Sequence, residues 1–262
     1  MIEEAEILTL KYPNAFFLWN ILGASSKVLG KNEKASKAFK KVTELNPNYA
    51  DGFNNLGTTL KILEKYDEAI TSFKKALSIK PNAVTYLNMG MTLKYQGKYY
   101  EAIEAYNKAL LLKPNYAKAY HSIGTSLQEA GNADKAIEAY NKALSIKPDY
   151  AEVYNNLGLT YLQLNELDNA VMSFENATSY MPNFNGAHYN LGIALKELGR
   201  LEEAANSYNK VIELTPENAN AHNNLGAIYK DLGRFDLALE SYNQAIIFNS
   251  CLLYTSPSPR DS

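Results

Sequence analysis

Side chains able to do covalent or metal chemistry are few and scattered. The chain has three histidines, His121, His188 and His222, and one cysteine, Cys251. A metal site needs three or four His, Cys or carboxylate ligands converging, and a nucleophile needs a base beside it. The histidines stand singly, with no HExxH, GxSxG, Walker loop or glycine-rich dinucleotide turn around them. Acidic pairs such as Glu3-Glu4 and Glu202-Glu203 read as helix starts, where carboxylates complement the helix dipole. No catalytic residue, metal site or cofactor is expected within these residues. An amide recurs instead, as Asn55, Asn88, Asn156, Asn190 and Asn224. An amide side chain offers a donor and an acceptor, so it can bond the N–H and C=O of one peptide unit whatever that residue's side chain. Six residues after these positions, and after Ile21 and Ser122 at the same repeat spacing, runs a second row: Lys27, Lys61, Lys94, Gln128, Leu162, Lys196 and Lys230. Of these, Lys61, Lys94, Lys196 and Lys230 are candidates for contact with an acidic partner.

Composition narrows the partners further. The chain has 262 residues, 46% hydrophobic and 21% charged, the balance of a folded rather than disordered protein. Its 26 Lys+Arg against 28 Asp+Glu leave no overall basic field for phosphate backbones, so no nucleic-acid partner is expected. No apolar run approaches a membrane span, and the acidic opening Glu3-Glu4-Ala5-Glu6 lacks the positive region of a signal peptide. A cytoplasmic protein without membrane attachment is expected. Lysine far outnumbers arginine and Asn, Ile and Tyr are abundant, a bias typical of A+T-rich codons that weakens any reading of lysine alone.

The elements that must position the amides are set by repetition. Pro13, Pro47, Pro81, Pro114, Pro148, Pro182 and Pro216 fall 33 or 34 residues apart. Gly23, Gly57, Gly90, Gly124, Gly158, Gly192 and Gly226 keep the same step, and Gly30, Gly97, Gly131, Gly199 and Gly233 follow seven residues behind. Each unit reads as two helices. In the fifth, Tyr154, Leu157, Gly158 and Tyr161 make an apolar stripe of helical period, helix A. A turn residue follows, glycine in five units, Asn165 in another and Glu64 as the exception. Helix B carries an alanine, an aromatic and usually another alanine, as in Ala69-Phe73-Ala76 and Ala170-Phe174-Ala177. Acids such as Asp67 and Asp168 open helix B, and Lys75, Lys108, Lys142 and Lys210 are expected to complement its C-terminal end. Proline then stops it. One hairpin of this size cannot bury its stripe alone, so the hairpins must stack into a solenoid.

This spacing of a large residue, Leu-Gly, Tyr, Ala, aromatic, Ala and Pro resembles the tetratricopeptide repeat. Trp19-Leu22-Gly23 with Ala35-Phe39-Pro47 fits it, and Tyr154-Leu157-Gly158-Tyr161 with Ala170-Phe174-Ala177-Pro182 fits it in full. The resemblance implies an all-α, right-handed superhelical solenoid of helix-turn-helix repeats. Seven repeats are expected over 16–249, at about 16–49, 50–83, 84–116, 117–150, 151–184, 185–218 and 219–249. In that family helix A lines the concave groove, and the residue before the Leu-Gly pair points into it. Here that column holds Ile21, Asn55, Asn88, Ser122, Asn156, Asn190 and Asn224. This is similar to the asparagine ladder in the superhelical arm of O-linked N-acetylglucosamine transferase, which implies an extended peptide as ligand. Asparagine in this column also serves to brace helix packing, so both roles stand open. With helices about 8 to 10 Å apart and an extended chain covering about 3.3 to 3.6 Å per residue, one amide would meet roughly every third residue. The unbroken run Asn156, Asn190, Asn224 is the better candidate. Lys118 is the one residue near the family's carboxylate clamp for chaperone tails, and Ser122 stands where a basic residue is wanted, so that partner is disfavoured. His188 and His222 occupy an aromatic slot at the start of helix A and read as packed or hydrogen-bonded imidazoles.

Both ends depart from the repeat. Residues 1–15 read as the second helix of a partial preceding repeat. Ser250 stands where a last proline is due, and Cys251 to Asp261 show no helical pattern. Residues 250–262 resemble the in-frame translation of a transposase-library sequencing adapter and are set apart as a non-native tail. The expected function is a non-catalytic protein-interaction scaffold binding an extended peptide or partner segment. The alternative is the substrate-recruiting arm of a larger glycosyltransferase or sulfotransferase whose catalytic domain lies beyond Ser250. Self-association through uncapped ends is a third expectation.

Overall fold

The structure, a computed structural model, describes residues 2–255, which form fifteen α-helices and no strand. Helix α1 (Ile2–Lys11) precedes seven hairpins: α2 (Phe16–Val28) with α3 (Asn32–Leu45), α4 (Ala50–Ile62) with α5 (Tyr66–Ile79), and α6 (Ala83–Tyr95) with α7 (Tyr99–Leu112). The series continues with α8 (Ala117–Glu129) and α9 (Ala133–Ile146), α10 (Ala151–Gln163) and α11 (Leu167–Tyr180), α12 (Asn185–Glu197) and α13 (Leu201–Leu214), then α14 (Ala219–Asp231) and α15 (Phe235–Thr255). The all-α architecture of helix-turn-helix repeats follows from the periodicity. Even-numbered helices are called A and odd-numbered ones from α3 onward B.

Each A helix ends through a left-handed residue: Gly30, Gly97, Gly131, Gly199 and Gly233 at φ 71 to 79°, Asn165 at 58° and Glu64 at 59°. The next N–H folds back to a carbonyl five residues earlier, as Lys65 N–H to Leu60 O at 2.9 Å and Arg200 N–H to Leu195 O at 2.9 Å. That satisfies an orphan carbonyl and reverses the chain in two residues. Glu64 makes the same turn with a Cβ in a conformation L-residues disfavour. B helices α3 to α13 stop two residues before proline, with one residue left non-helical between, such as Asn46 (φ −134°) and Lys80 (φ −149°). Where Ser250 replaces proline, α15 runs on to Thr255, so the expected break in helical pattern at Cys251 is not observed: nothing there removes an N–H. The rest of the adapter-like tail, 256–262, lies outside the described residues.

Acids sit in the first turn of the B helices, among them Asp67, Asp168 and Glu202. No basic residue occupies the last turn of the B helices α3, α5, α7, α9, α11 and α13, which corrects the expectation for Lys75, Lys108, Lys142 and Lys210. Each B helix extends four residues past that lysine, beyond the reach of its terminal carbonyls, and Lys210 pairs instead with Glu213 at 2.7 Å.

The A–B seam explains the small residues. A Cβ on Gly90 would lie 2.5 Å from the Tyr106 ring and 3.0 Å from the Ala102 carbonyl, and Gly158 and Gly192 face Phe174 and Tyr208 in the same way. Ala35, Ala69, Ala102, Ala136, Ala170 and Ala204 are wholly buried. The aromatic of each B helix fills the seam, and burying such a ring stabilises by about 1.5 to 3 kcal/mol.

The helices fall into two compact units, Met1–Lys135 and Ala136–Ser262. In the first, Ala5 of α1 packs with Leu22 and Ala38 beside Trp19. In the second, Ala170, Phe174, Leu191, Tyr208, Leu225 and Ile228 belong to one continuous core. Within each unit A helices approach the next A helix, as α4 with α6, α6 with α8 and α10 with α12, while among the described residues no two B helices of a unit come as close. The A helices therefore line the inner side of each unit.

Candidate functional site

In unit 1, Asn55 and Asn88 lie half-buried on α4 and α6. In unit 2, Asn156, Asn190 and Asn224 lie half-buried on α10, α12 and α14. The amides of Asn55, Asn88, Asn190 and Asn224 reach back to the preceding repeat. Asn88 Nδ2 donates to Asn54 Oδ1 at 3.3 Å, Asn55 Nδ2 to Asn20 Oδ1 at 3.5 Å, and Asn190 Nδ2 to Asn155 Oδ1 at 3.0 Å. Asn224 Nδ2 donates to two phenols, Tyr189 at 3.0 Å and Tyr208 at 3.3 Å. In every case a recipient is the residue just before the ladder position of the preceding A helix. Main-chain carbonyls of the row are engaged as well: Thr59, Thr92 and Thr160 hydroxyls, all fully buried, donate to the carbonyls of Asn55, Asn88 and Asn156 at 2.8 to 2.9 Å.

This arrangement sets what each amide has left. Asn55, Asn88 and Asn190 each keep one N–H and the Oδ1, enough for both halves of a peptide unit. Asn224 has spent both N–H donors on tyrosines and keeps only its acceptor. The recipients Asn20, Asn54, Asn155 and Tyr189 were missed in the sequence, although Asn20, Asn54 and Asn155 repeat at the ladder's own spacing one residue earlier. A column scored for its own hydrogen-bonding capacity, rather than for its neighbour's, would have shown them.

The lysine row separates into different environments. Lys94 Nζ is tied to Glu129 at 2.8 Å across repeats. Lys196 and Lys230 are exposed, the latter 3.9 Å from Asp231. Lys27 and Lys61 are half-buried in the last turns of α2 and α4. Burial pushes both ammonium groups below their ordinary value, and the positive charges of Lys27 and Lys118 lower Lys61 further.

The histidines take the slot that Trp19 fills in the first repeat. Trp19 Nε1 donates to the Pro13 carbonyl at 2.8 Å, and the Nε2 atoms of His188 and His222 lie 2.9 Å from the carbonyls of Pro182 and Pro216. Each ring thus ties helix A to the loop that enters it. Among the described residues no group of three or more His, Cys, Asp or Glu could hold a metal ion, and no helix is long and apolar enough to cross a membrane. Apolar side chains lie exposed on the first and last helices, notably Ile7 and Leu10 on α1 and Phe235, Leu239 and Ile246 on α15.

Comparison with family models matches the tetratricopeptide repeat at residues 18–49, 50–82, 81–149, 116–182 and 219–250, and a TPR repeat model at 194–233. Characterised protein sequences give no significant match. Among solved structures, MamA is 25% identical, with 63% of this chain and 97% of that one covered and a TM-score of 0.60. YrrB, described as a TPR protein with an unusual peptide-binding site, is 26% identical over 67% of this chain and 91% of its own, with a TM-score of 0.58. PilF of Pseudomonas aeruginosa shares the fold at 21% identity, a TM-score of 0.65 and coverage of 80% and 92%.

Proposed function

The chain belongs to the tetratricopeptide repeat family, and from that premise we propose that it is a non-catalytic scaffold holding an extended peptide or partner segment against its A helices. Proteins of this family generally serve as interaction scaffolds. In this reading Asn156, Asn190 and Asn224 grip the main chain of the bound segment, and Asn55 with Asn88 forms a shorter run in unit 1. The carrying observation is the hydrogen-bonding capacity left over after bracing: Asn190 retains an N–H and its Oδ1, and Asn224 its Oδ1. The peptide-binding site in the description of YrrB supports the same reading.

The ladder thereby has two separable duties, joining repeats and meeting ligand. A peptide selected from a library on the wild-type chain is titrated against the Asn156→Ala/Asn190→Ala/Asn224→Ala variant and against Asn155→Ala. The triple variant should lose at least about tenfold in affinity, roughly 1.4 kcal/mol. Asn155→Ala removes only a bracing acceptor and should retain binding at reduced stability. Unaltered affinity in the triple variant would sink the ladder as a peptide contact.

A further inference from the structure

Exposed large apolar side chains on the A helices keep to one face and to one unit. On α2, α4 and α6 they are Phe17, Ile21, Val28, Ile62, Val84 and Tyr95, between 45% and 86% exposed. Counted from the ladder column at Ile21, Asn55 and Asn88, each stands four residues before it, in it, or seven after it, offsets that share one side of a helix. The strip ends within unit 1 at α8, where Glu129 takes the position of Val28, Ile62 and Tyr95 and pairs with Lys94. In unit 2, α10, α12 and α14 carry no exposed large apolar side chain among the described residues, and Gln163, Glu197 and Asp231 hold that same position. Two rings of the strip are held in place: Tyr95 stacks on Tyr66 with centroids 6.1 Å apart and planes 3° from parallel, and Phe17 meets Phe16 edge-on at 6.5 Å.

Apolar side chains exposed singly are ordinary, whereas a run of them along one face of neighbouring helices marks an interaction surface. The six together expose roughly 600 Å², the upper end for a patch on a monomer and short of the about 800 Å² that each partner gives to a stable protein–protein interface. A slender segment suits that area better than a second copy of the chain. The neighbouring amides set its conformation. Asn55 and Asn88 each keep an N–H and an Oδ1, which the main chain of an extended segment can meet and that of an α-helix, already bonded internally, cannot. Successive repeats meet an extended strand about every third residue. We infer that the A-helix face of unit 1 selects an extended segment with large apolar side chains about three residues apart, seated on Val28, Ile62 and Tyr95 and flanked by Phe17 and Ile21. This rests on the proposed groove function and names the chemistry of the segment that unit 1 holds. Braced rings lose little freedom when the segment arrives, which favours its capture.

The test uses labelled peptides of equal length, one with Leu at every third position of a Ser-rich chain and one with Gln in place of each Leu, titrated by fluorescence anisotropy. The chain should bind the Leu peptide at least about tenfold more tightly than the Gln peptide, and the margin should persist as salt rises, since apolar burial is not screened. Val28→Gln/Ile62→Gln/Tyr95→Gln should erase the margin, and Val28→Gln alone, at the most exposed site, should already narrow it. Leu239→Gln/Ile246→Gln changes two equally exposed residues of α15 and should preserve it. Circular dichroism shows that each variant is folded. A peptide of the same composition with its leucines consecutive should lose the margin; if it binds as tightly as the spaced one, the strip is an unselective apolar surface and the inference fails. Equal binding of the Leu and Gln peptides by the wild type, or a margin that survives the triple change, overturns the inference while leaving the groove reading intact. Absence of binding by either peptide overturns both. Concentration-dependent mass, or co-sedimentation with phosphatidylcholine vesicles, that disappears in the triple variant also overturns it, because the strip would then belong to a second copy or to a lipid surface.

Discussion

Tyr106 and Tyr208 fill the same slot, at the seam of the third repeat in unit 1 and the sixth in unit 2, and both are buried to within 1%. Their hydroxyls fare differently. Tyr208 accepts a hydrogen bond from Asn224 on the next A helix. Tyr106 meets Ser122 in that column, whose hydroxyl donates to the Lys118 carbonyl at 2.9 Å, and its own hydroxyl lies beside those of Ser122 and Ser126 without a well-formed hydrogen bond. Ser126 stands beside it, also buried and also unsatisfied. Burial pushes both phenols well above the ordinary tyrosine range. The two units therefore share an apolar seam and differ in the polar chemistry laid over it. Unit 2 carries its amides through to the last repeat. Unit 1 breaks the row at Ser122.

Changes to the seam should have the largest effects and treat the units alike. Ala170→Leu and Ala102→Leu each force a branched side chain into a fully buried site and should each cost about 1 to 3 kcal/mol, read by denaturant unfolding. A large gap between the two would show that the units differ in packing as well as in polar groups. The amides come next, and here the units should part. Asn190→Ala leaves Asn155, 9% exposed, without its donor and should cost about 1 to 2 kcal/mol. Asn88→Ala leaves the half-buried Asn54, which water can reach, and should cost less than about 1 kcal/mol.

Repairing the break is the sharper test. Ser122→Asn should place an amide on the Tyr106 hydroxyl as Asn224 does on Tyr208, stabilising unit 1 by about 1 kcal/mol; a destabilised variant would mean that the two seams are not equivalent. The smallest effect concerns the left-handed turn residues. Glu64→Gly should gain about 0.5 to 1 kcal/mol by removing a strained Cβ, partly offset by the greater freedom of glycine when unfolded. Asn165→Gly in unit 2 should gain less, because asparagine tolerates this conformation. Thermal melts of the two variants beside the wild type decide it.

The fold was legible because its signals are local and repeated. A residue such as Gly158 could be assigned to a close helix contact from its place before Tyr161 and ahead of Phe174, and the structure puts its would-be Cβ 2.6 Å from that ring. The candidate site was legible only in part. The ladder column stood out, yet nothing in the spacing of Asn190 says that one of its hydrogens is spent on Asn155, or that Asn224 spends both on Tyr189 and Tyr208. The lysine row looked uniform in sequence, but Lys94 finds Glu129 while Lys61 is half-buried and makes no ion pair among the described residues.

By itself, then, the sequence determined the all-α repeat, its left-handed turns, its proline stops and the alanine–aromatic seam. These depend on backbone sterics and on side-chain volume at fixed helical offsets, which a single chain carries along its length. Only the tertiary structure decided which amide hydrogens are committed, which hydroxyls are orphaned and which ammonium groups lack an acid. Those outcomes turn on a few tenths of an ångström between side chains about thirty-four residues apart, a distance to which the sequence pattern is blind because hydrogen bonds and charge pairs are settled by geometry across the stack.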